Sequence, residues 1–304
     1  MANIASAPGT ETPGPVVVGT DGSAHATKAV LWAAGEAEAR KQPLNIVHAT
    51  DTEARARHLS SDAVRLVHDS GGGLLDGAAG EVRGAFPGVP VAMTLSEAGA
   101  AESLLTAAGA DGTIVVGSRG LGGFSALLLG SVGLRVAARA EGPVIVVRGD
   151  AEPAATGVVV VGIRDDRDLD ALRFAAWTAQ QRKALLRVLS AWMFLQNVGS
   201  MAPMFDDASE IASAQLAETA RIVAPVRKEF PDLAVTEHIV RAVSAAGALV
   251  EAAADADLLV VGARRPTHAI GSRLGPVAHA VLHHAPCPVA VVPHRDATPR
   301  AHEG

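Results

Sequence analysis

The chain is written twice, and this constrains its fold more than any other feature. "PVVVGTD" at 15–21 has a partner in "VVVVGIRDD" at 158–166, and "AFPGVPV" at 85–91 is echoed by "EFPDLAV" at 229–235. "DGTIVVG" at 111–117 matches "DADLLVVG" at 255–262, and "GPVIVVR" at 142–148 matches "CPVAVVP" at 287–293. Trp32 in "LWAA" is echoed by Trp177 in "AWTA", 145 residues later, the offset that holds from Gly117 onward. Matches in the same order imply two copies of one domain. The copies are expected at 15–149 and 157–294, joined around "GDAEPAATG" at 149–157, whose Pro, Ala and Gly suit a short linker. Residues 1–14 and 295–304 read as disordered tails.

Each copy alternates short β-branched runs with long alanine-rich segments. Strands are expected at 16–19, 44–49, 89–95, 113–117 and 144–148, and again at 157–162, 185–191, 233–240, 258–262 and 289–292. Runs such as "VVVV" and "LLVVG" do not alternate with polar residues, as in parallel strands covered by helices on both faces. "SAHATKAVLWAAGEAEARKQ" opens on a capping serine, Ser23, and ends basic. The prolines of "FPGVP" and "FPDLA" stop a helix where a strand begins. The order implies an α/β protein of two tandem, doubly wound, Rossmann-like domains, each a parallel sheet covered by helices.

Composition narrows the function. The net charge is -6, so nothing predicts sequence-independent nucleic-acid binding, which needs a concentrated basic surface. The single cysteine, Cys287, excludes an intrachain disulfide and a thiolate cluster and suits a reducing cytosol. No run approaches the roughly 20 apolar residues of a membrane span, and the first residues lack a signal-peptide core. A cytoplasmic protein is expected.

The chemistry points to "VVGSRGLGGFSALLLGSV" at 115–132. Gly117 ends a buried strand, Gly120, Gly122 and Gly123 follow, and Gly130-Ser131 opens a helix. A helix N-terminus offers free N–H groups and a positive dipole end, where phosphates bind. Ser131 adds a hydroxyl and Arg119 a cation. Glycines alone more often mark a loop. The segment matches neither the Walker pattern nor the dinucleotide fingerprint. Its spacing, G-x2-G-x9-G-[S/T] over Gly117, Gly120, Gly130 and Ser131, resembles the ATP-binding signature of the universal stress protein family. "VVVGTDGS" and "PVIVVR" resemble that family too, and the two copies cover nearly the whole chain.

The resemblance implies five parallel strands per domain, with ATP at the carboxyl ends of the first and fourth. Gly117 and Gly120 would lie against ribose and phosphates. Gly130, Ser131 and Val132 would donate backbone N–H groups. Thr20 and Asp21 would stand at the first strand's end, with Asp21 binding ribose or the Mg²⁺ carried by ATP. Ala49 would pair with adenine. The strands "PVIVVR" and "PVAVVP" would form a contact between domains, internal to a tandem chain, with a further homodimer expected.

In the second copy the matching positions are Gly262, Arg265 and Gly275-Pro276, with Ala191 opposite Ala49. Arg265 replaces the middle glycine, and Pro276 removes an N–H and a hydroxyl. Arg164 stands at Asp21's place by direct count; if the length difference falls earlier, Asp165 or Asp166 does. Weaker or absent binding is expected there.

Elsewhere the residues favour plain roles. His279 and His283 have metal-ligand spacing but read as a surface or interface pair, and Cys287 as buried and inert. Asp255 and Asp257 read as turn residues, and Met201, Met204 and Phe205 as part of a lid or as packing. No nucleophile elbow or Lys-bearing phosphate loop is visible. A nucleotide-binding regulator of a stress response with an unidentified protein partner is expected, ahead of an ATP-consuming enzyme or a structural interaction protein.

Overall fold

The computed structural model describes residues 14–55, 60–120, 129–148, 155–193, 205–263 and 274–294, with the backbone alone at 193 and 205–212. Expectations for the tails, Gly122, Gly123, Met201, Met204 and Arg265 fall outside these residues, as does the Phe205 side chain.

Copy one runs β1 (Val16–Gly19), α1 (Ala24–Arg40), β2 (Leu44–Ala49), α2 (Thr52–Arg55), α3 (Ser61–Ala85), β3 (Val91–Ser96), α4 (Ala100–Ala108), β4 (Thr113–Gly117), α5 (Ser131–Arg139) and β5 (Val144–Val147). Copy two runs β6 (Val158–Gly162), a 3-10 turn (Asp166–Asp168), α6 (Leu169–Arg182), β7 (Leu185–Met193), α7 (Phe205–Glu229), β8 (Val235–Ala242), α8 (Ala245–Ala252), β9 (Leu258–Ala263), α9 (Pro276–His284) and β10 (Val289–Pro293). The expected strands are present within a few residues at each end. β3 begins later than expected, at Val91, because Val89 and Pro90 belong to the turn after α3.

All ten strands form one sheet, ordered β3-β2-β1-β4-β5-β10-β9-β6-β7-β8. Within each copy every pairing is parallel. Between copies, β5 and β10 pair antiparallel, with Val144 opposite Val291, Ile145 opposite Ala290 and Val146 opposite Val289. Ile145 and Ala290 are also 145 residues apart, so each faces its own counterpart. A pseudo-two-fold axis passes through that pair, and the contact is isologous. The expected last-strand contact is therefore internal to the chain.

The valine runs are buried because both faces of the sheet are covered. Val16 and Val18 face α1 and α3, while Val17 faces α4 and α5; β6 repeats this with Val159 and Val161 against Val160. Each fully buried valine is worth roughly 1.5–3 kcal/mol of transfer free energy. One apolar layer on each face continues across both copies. The linker's end is tied down by Asp257, which accepts the Thr156 and Gly157 N–H groups at 2.6 and 2.9 Å, the turn role expected of it.

Strand register corrects one repeat assignment. Val16 pairs with Leu44 and Thr113, and Val159 with Leu186 and Leu258. Gly19 therefore matches Gly162, and Arg164 holds the place of Asp21. In the helices, buried Ala29, Val30, Ala33, Ala34 and Ala37 recur as Ala171, Leu172, Ala175, Ala176 and Ala179, each 142 residues on. Left-handed Lys41 and Lys183 close both helices at the same shift. Trp32 thus corresponds to Phe174, and Trp177 to Gly35. The 145-residue echo of the tryptophans is a coincidence of sequence, because burial and register, not identity, fix the alignment.

The helices α1 and α6 meet behind the seam around a buried ion triad. Glu36 Oε1 accepts Arg40 Nε and Nη2 at 2.9 and 2.6 Å, and Oε2 accepts Arg182 Nη2 from the other copy at 2.8 Å. Arg40 also donates to Thr113 Oγ1 at 2.7 Å. Its guanidinium lies over Trp177 at 5.0 Å, and that of Arg182 over Trp32 at 4.7 Å. Burial alone would raise the Glu36 carboxyl, but the two guanidinium charges outweigh it and hold it below the ordinary range.

Candidate functional site in the first copy

In copy one the strand order reverses between β1 and β4, the place where open α/β sheets bind ligands outside their carboxyl ends. β1 ends in Thr20, Asp21 and Gly22. Thr20 is buried, donates its N–H to Val47 O at 2.9 Å and accepts His48 Nδ1 on its carbonyl at 2.8 Å. That contact sets the Nδ1-protonated tautomer of His48. Gly22 has φ +80°, a conformation only glycine takes without cost. Asp21 then folds back, and its Oδ1 accepts the Ser23 N–H at 3.0 Å. Ser23 caps α1 through Ala26 N–H at 3.2 Å, as expected.

The other carboxylate oxygen reaches across to the glycine segment. A Cβ on Gly120 would fall on Asp21 Oδ2, far inside contact distance. A Cβ on Gly117 would stand 2.7 Å from His25 O in the first turn of α1. Gly117 is therefore required by the close approach of α1 to β4, while Gly120 lets the Asp21 carboxylate lie on the loop. Arg119 lies between them at the carboxyl end of β4.

Gly130 caps α5 with no capping side chain, and its own N–H donates to Ser118 O at 2.8 Å. That corrects the donor set, because Gly130 spends its hydrogen on closing the loop. The first-turn N–H groups of Ser131, Val132 and Gly133 are the ones a helix leaves without an internal partner. Ser131 is exposed, Val132 half-buried and Gly133 buried. Ala49 ends β2 beside β3, opposite Ser96. Around it lies a hydroxyl cluster not foreseen from sequence. Thr50 Oγ1 meets Thr52 Oγ1 at 2.9 Å and Ser96 O at 3.1 Å, and Ser103 Oγ meets Ser96 Oγ at 2.8 Å. These hydroxyls brace the carboxyl ends of β2 and β3, and nothing local in the sequence pairs them.

Copy two keeps the frame but not the chemistry. Arg164, exposed, stands at the place of Asp21, and Gly22 has no counterpart. Instead Asp168, 6% exposed, turns inward and accepts the Arg164 N–H at 2.8 Å. A Cβ on Gly262 would fall on Asp168 Oδ1 and 2.8 Å from His294 Cε1. His294 Nδ1 contacts Arg167 O, and Nε2 lies 3.7 Å from Asp168 Oδ1. Protein side chains thus occupy the carboxyl end of β9, and one of them is acidic. Pro276 is the first residue of α9 after Gly275 and has no N–H to offer. Ala191 keeps its place on β7.

Among the described residues no group of three or more metal-ligating side chains is present, and no helix is long and apolar enough to cross a membrane. The His279 and His283 rings lie 4.5 Å apart between centroids, tilted by 34°. Cys287 is 4% exposed, and burial pushes its thiol up to about 12. Native protein at pH 8 should therefore react with a disulfide reagent only as fast as it opens. Instant stoichiometric labelling before unfolding would contradict this.

The profile of the Universal stress protein family matches residues 14–148 and 156–293. A universal stress protein of Mycolicibacterium smegmatis is 30% identical over 298 residues, covering 91% of this chain and 96% of its own. Universal stress protein Rv2623 of Mycobacterium tuberculosis is 30% identical over 286 residues, covering 91% and 95%. In three dimensions the chain is similar to a universal stress protein from Archaeoglobus fulgidus, with TM-score 0.66, 17% identity and coverage of 94% and 98%. A sheet with its switch point between β1 and β4, built twice and joined edge to edge, and a profile matched twice along the chain together make this a tandem member of the universal stress protein family.

Proposed function

We propose that copy one binds one adenine nucleotide, ATP with Mg²⁺, and that binding regulates which protein partner the chain engages under stress. The observation that carries this reading is the fit of Asp21 against Gly120 at the sheet's switch point. It draws together a carboxylate for ribose or a hard cation, a glycine loop and the exposed N-terminus of α5. Asp21 would take ribose hydroxyls or Mg²⁺, with Thr20 fixing its position. Ser131, Val132 and Gly133 would donate to phosphate oxygens, Ser131 with its hydroxyl as well. Gly117 and Gly120 would keep the loop close, and Ala49 would meet adenine through its backbone. Bound ATP supplies negative charge, and the loop and helix dipole are arranged to receive it.

In this reading copy two binds nucleotide weakly or not at all. The buried Asp168 carboxylate would repel phosphate, Arg164 replaces the carboxylate that copy one uses, and Pro276 lacks a donor. Nucleotide is held rather than consumed. Mass spectrometry of purified protein should find adenine nucleotide at about one per chain, and long incubation with ATP and Mg²⁺ should yield diphosphate at the blank rate. Protein that carries no adenine nucleotide and takes up none at millimolar concentration would end the reading.

A further inference from the structure

The antiparallel seam brings the carboxyl end of β5 beside the amino end of β10, and with it the last turn of α9. Arg148, the residue after β5, crosses the seam and donates from Nη1 to the Leu282 carbonyl of α9. Near it stand Arg119 from the loop after β4 and His283 from α9, whose ring has those of His279 and His284 beside it. The charges that act on Arg148 and on His283 come from this set. Arg148 feels Arg119, and His283 feels His279, Arg148 and His284. The remaining neighbour of Arg148 is Cys287, a neutral thiol. Among the described residues no carboxylate acts on either group.

Two polar atoms in this cluster are buried without a hydrogen-bond partner among the described residues: Arg119 Nε and His283 Nε2. Buried polar atoms in folded proteins are nearly always partnered, and an exception calls for a missing water or ion. Here both belong to one cationic group. The pseudo-two-fold axis sharpens the point. At the opposite junction the counterparts of Arg148, His279 and His283 are Pro293, Leu134 and Ala138, each 145 residues away. Arg119 and His284 keep cationic counterparts in sequence, Arg264 and Arg139, so the two junctions differ at Arg148, His279 and His283.

We propose that Arg119, Arg148 and His283 form an anion site for a phosphate group, set between the nucleotide loop of copy one and the last helix of copy two. A phosphate accepts several N–H donors at once and neutralises charges that otherwise repel. Burial, with His279, Arg148 and His284 beside it, holds the His283 imidazole below its ordinary value. A phosphate would reverse that, since an opposite charge favours the imidazolium. The group has two sources, a terminal phosphate of nucleotide held in copy one or a separate phosphorylated small molecule. Only the first source rests on the nucleotide reading above.

The test titrates the His283 imidazole by NMR on the full chain, alone and with inorganic phosphate, AMP or ATP, with chloride matching ionic strength. Inorganic phosphate raising the His283 midpoint supports a separate phosphate ligand. ATP raising it while AMP binds without doing so supports a terminal phosphate. In either case Arg148→Gln should weaken the effective ligand roughly tenfold or more, the worth of one charge-assisted hydrogen bond, and Arg148→Lys should retain part of the effect. Should Arg148→Gln melt early, His283→Gln with calorimetry of phosphate serves in its place, with the same loss expected. No movement with any probe, or movement that survives Arg148→Gln, overturns the proposal. If ATP fails to bind but phosphate moves His283, the nucleotide reading falls and the anion site stands.

Discussion

Glu36→Gln should cost the protein about 3–5 kcal/mol, the usual loss when one member of a buried ion group is removed. The carboxylate is 1% exposed and is the shared acceptor for Arg40 and Arg182. Glutamine has the same shape but no charge, so the buried guanidinium of Arg40 over Trp177 and the half-buried one of Arg182 over Trp32 lose their shared counter-charge. Arg182 comes from the other copy, so the loss falls on the seam between copies as well as on α1. The effect has a definite pH dependence. The folded Glu36 value lies below the unfolded one of about 4.5. Its contribution is therefore full above that value and lost as pH falls through the folded value. Urea melts of wild type and variant should differ by a constant amount from pH 6 to 8 and converge in acid. A gap that persists unchanged at pH 3, or none at pH 7, would contradict the assignment.

Gly120→Ala should weaken adenine nucleotide tenfold or more while leaving the fold intact. The added methyl displaces Asp21 Oδ2, the tip of a side chain, so Asp21 swings away at little cost to folding. Gly120 is exposed, and surface changes of this kind stay within about 0.5 kcal/mol. Gly130→Ala is the contrast. Its Cβ would stand 3.7 Å from Ser118 O, an ordinary contact, and its φ of -72° suits alanine. The sequence signature treats the two glycines alike; the structure predicts one sensitive and one tolerant position. Equal affinity loss in both variants, with melting unchanged, would mean that Asp21 and Gly120 do not form the site.

The strands and the tandem plan were legible because buried parallel strands leave unbroken apolar runs, and copying doubles the signal. "VVVVG" and "LLVVG" needed no partner to be read. The carboxyl-end position of Gly117 and Asp21 followed from strand order. What the sequence hid were pairings across distance. Glu36 with Arg182, His48 with Thr20 and Arg148 with Leu282 join residues whose separation carries no local pattern. The tryptophan echo misled because identity was visible and burial was not. Gly130 matched its motif, yet its N–H was committed to Ser118, a fact of loop closure that spacing cannot express. In copy two, the N–H missing at Pro276 was legible, but the inward turn of Asp168 was not.

The central claim is that two copies of one fold provide one working nucleotide site. Calorimetric titration of the purified, nucleotide-stripped chain with ATP and Mg²⁺ tests it most directly. The account predicts one strong site per chain, abolished by Asp21→Ala and untouched by Asp168→Ala. Two equivalent sites, or a single site that survives Asp21→Ala, would contradict it.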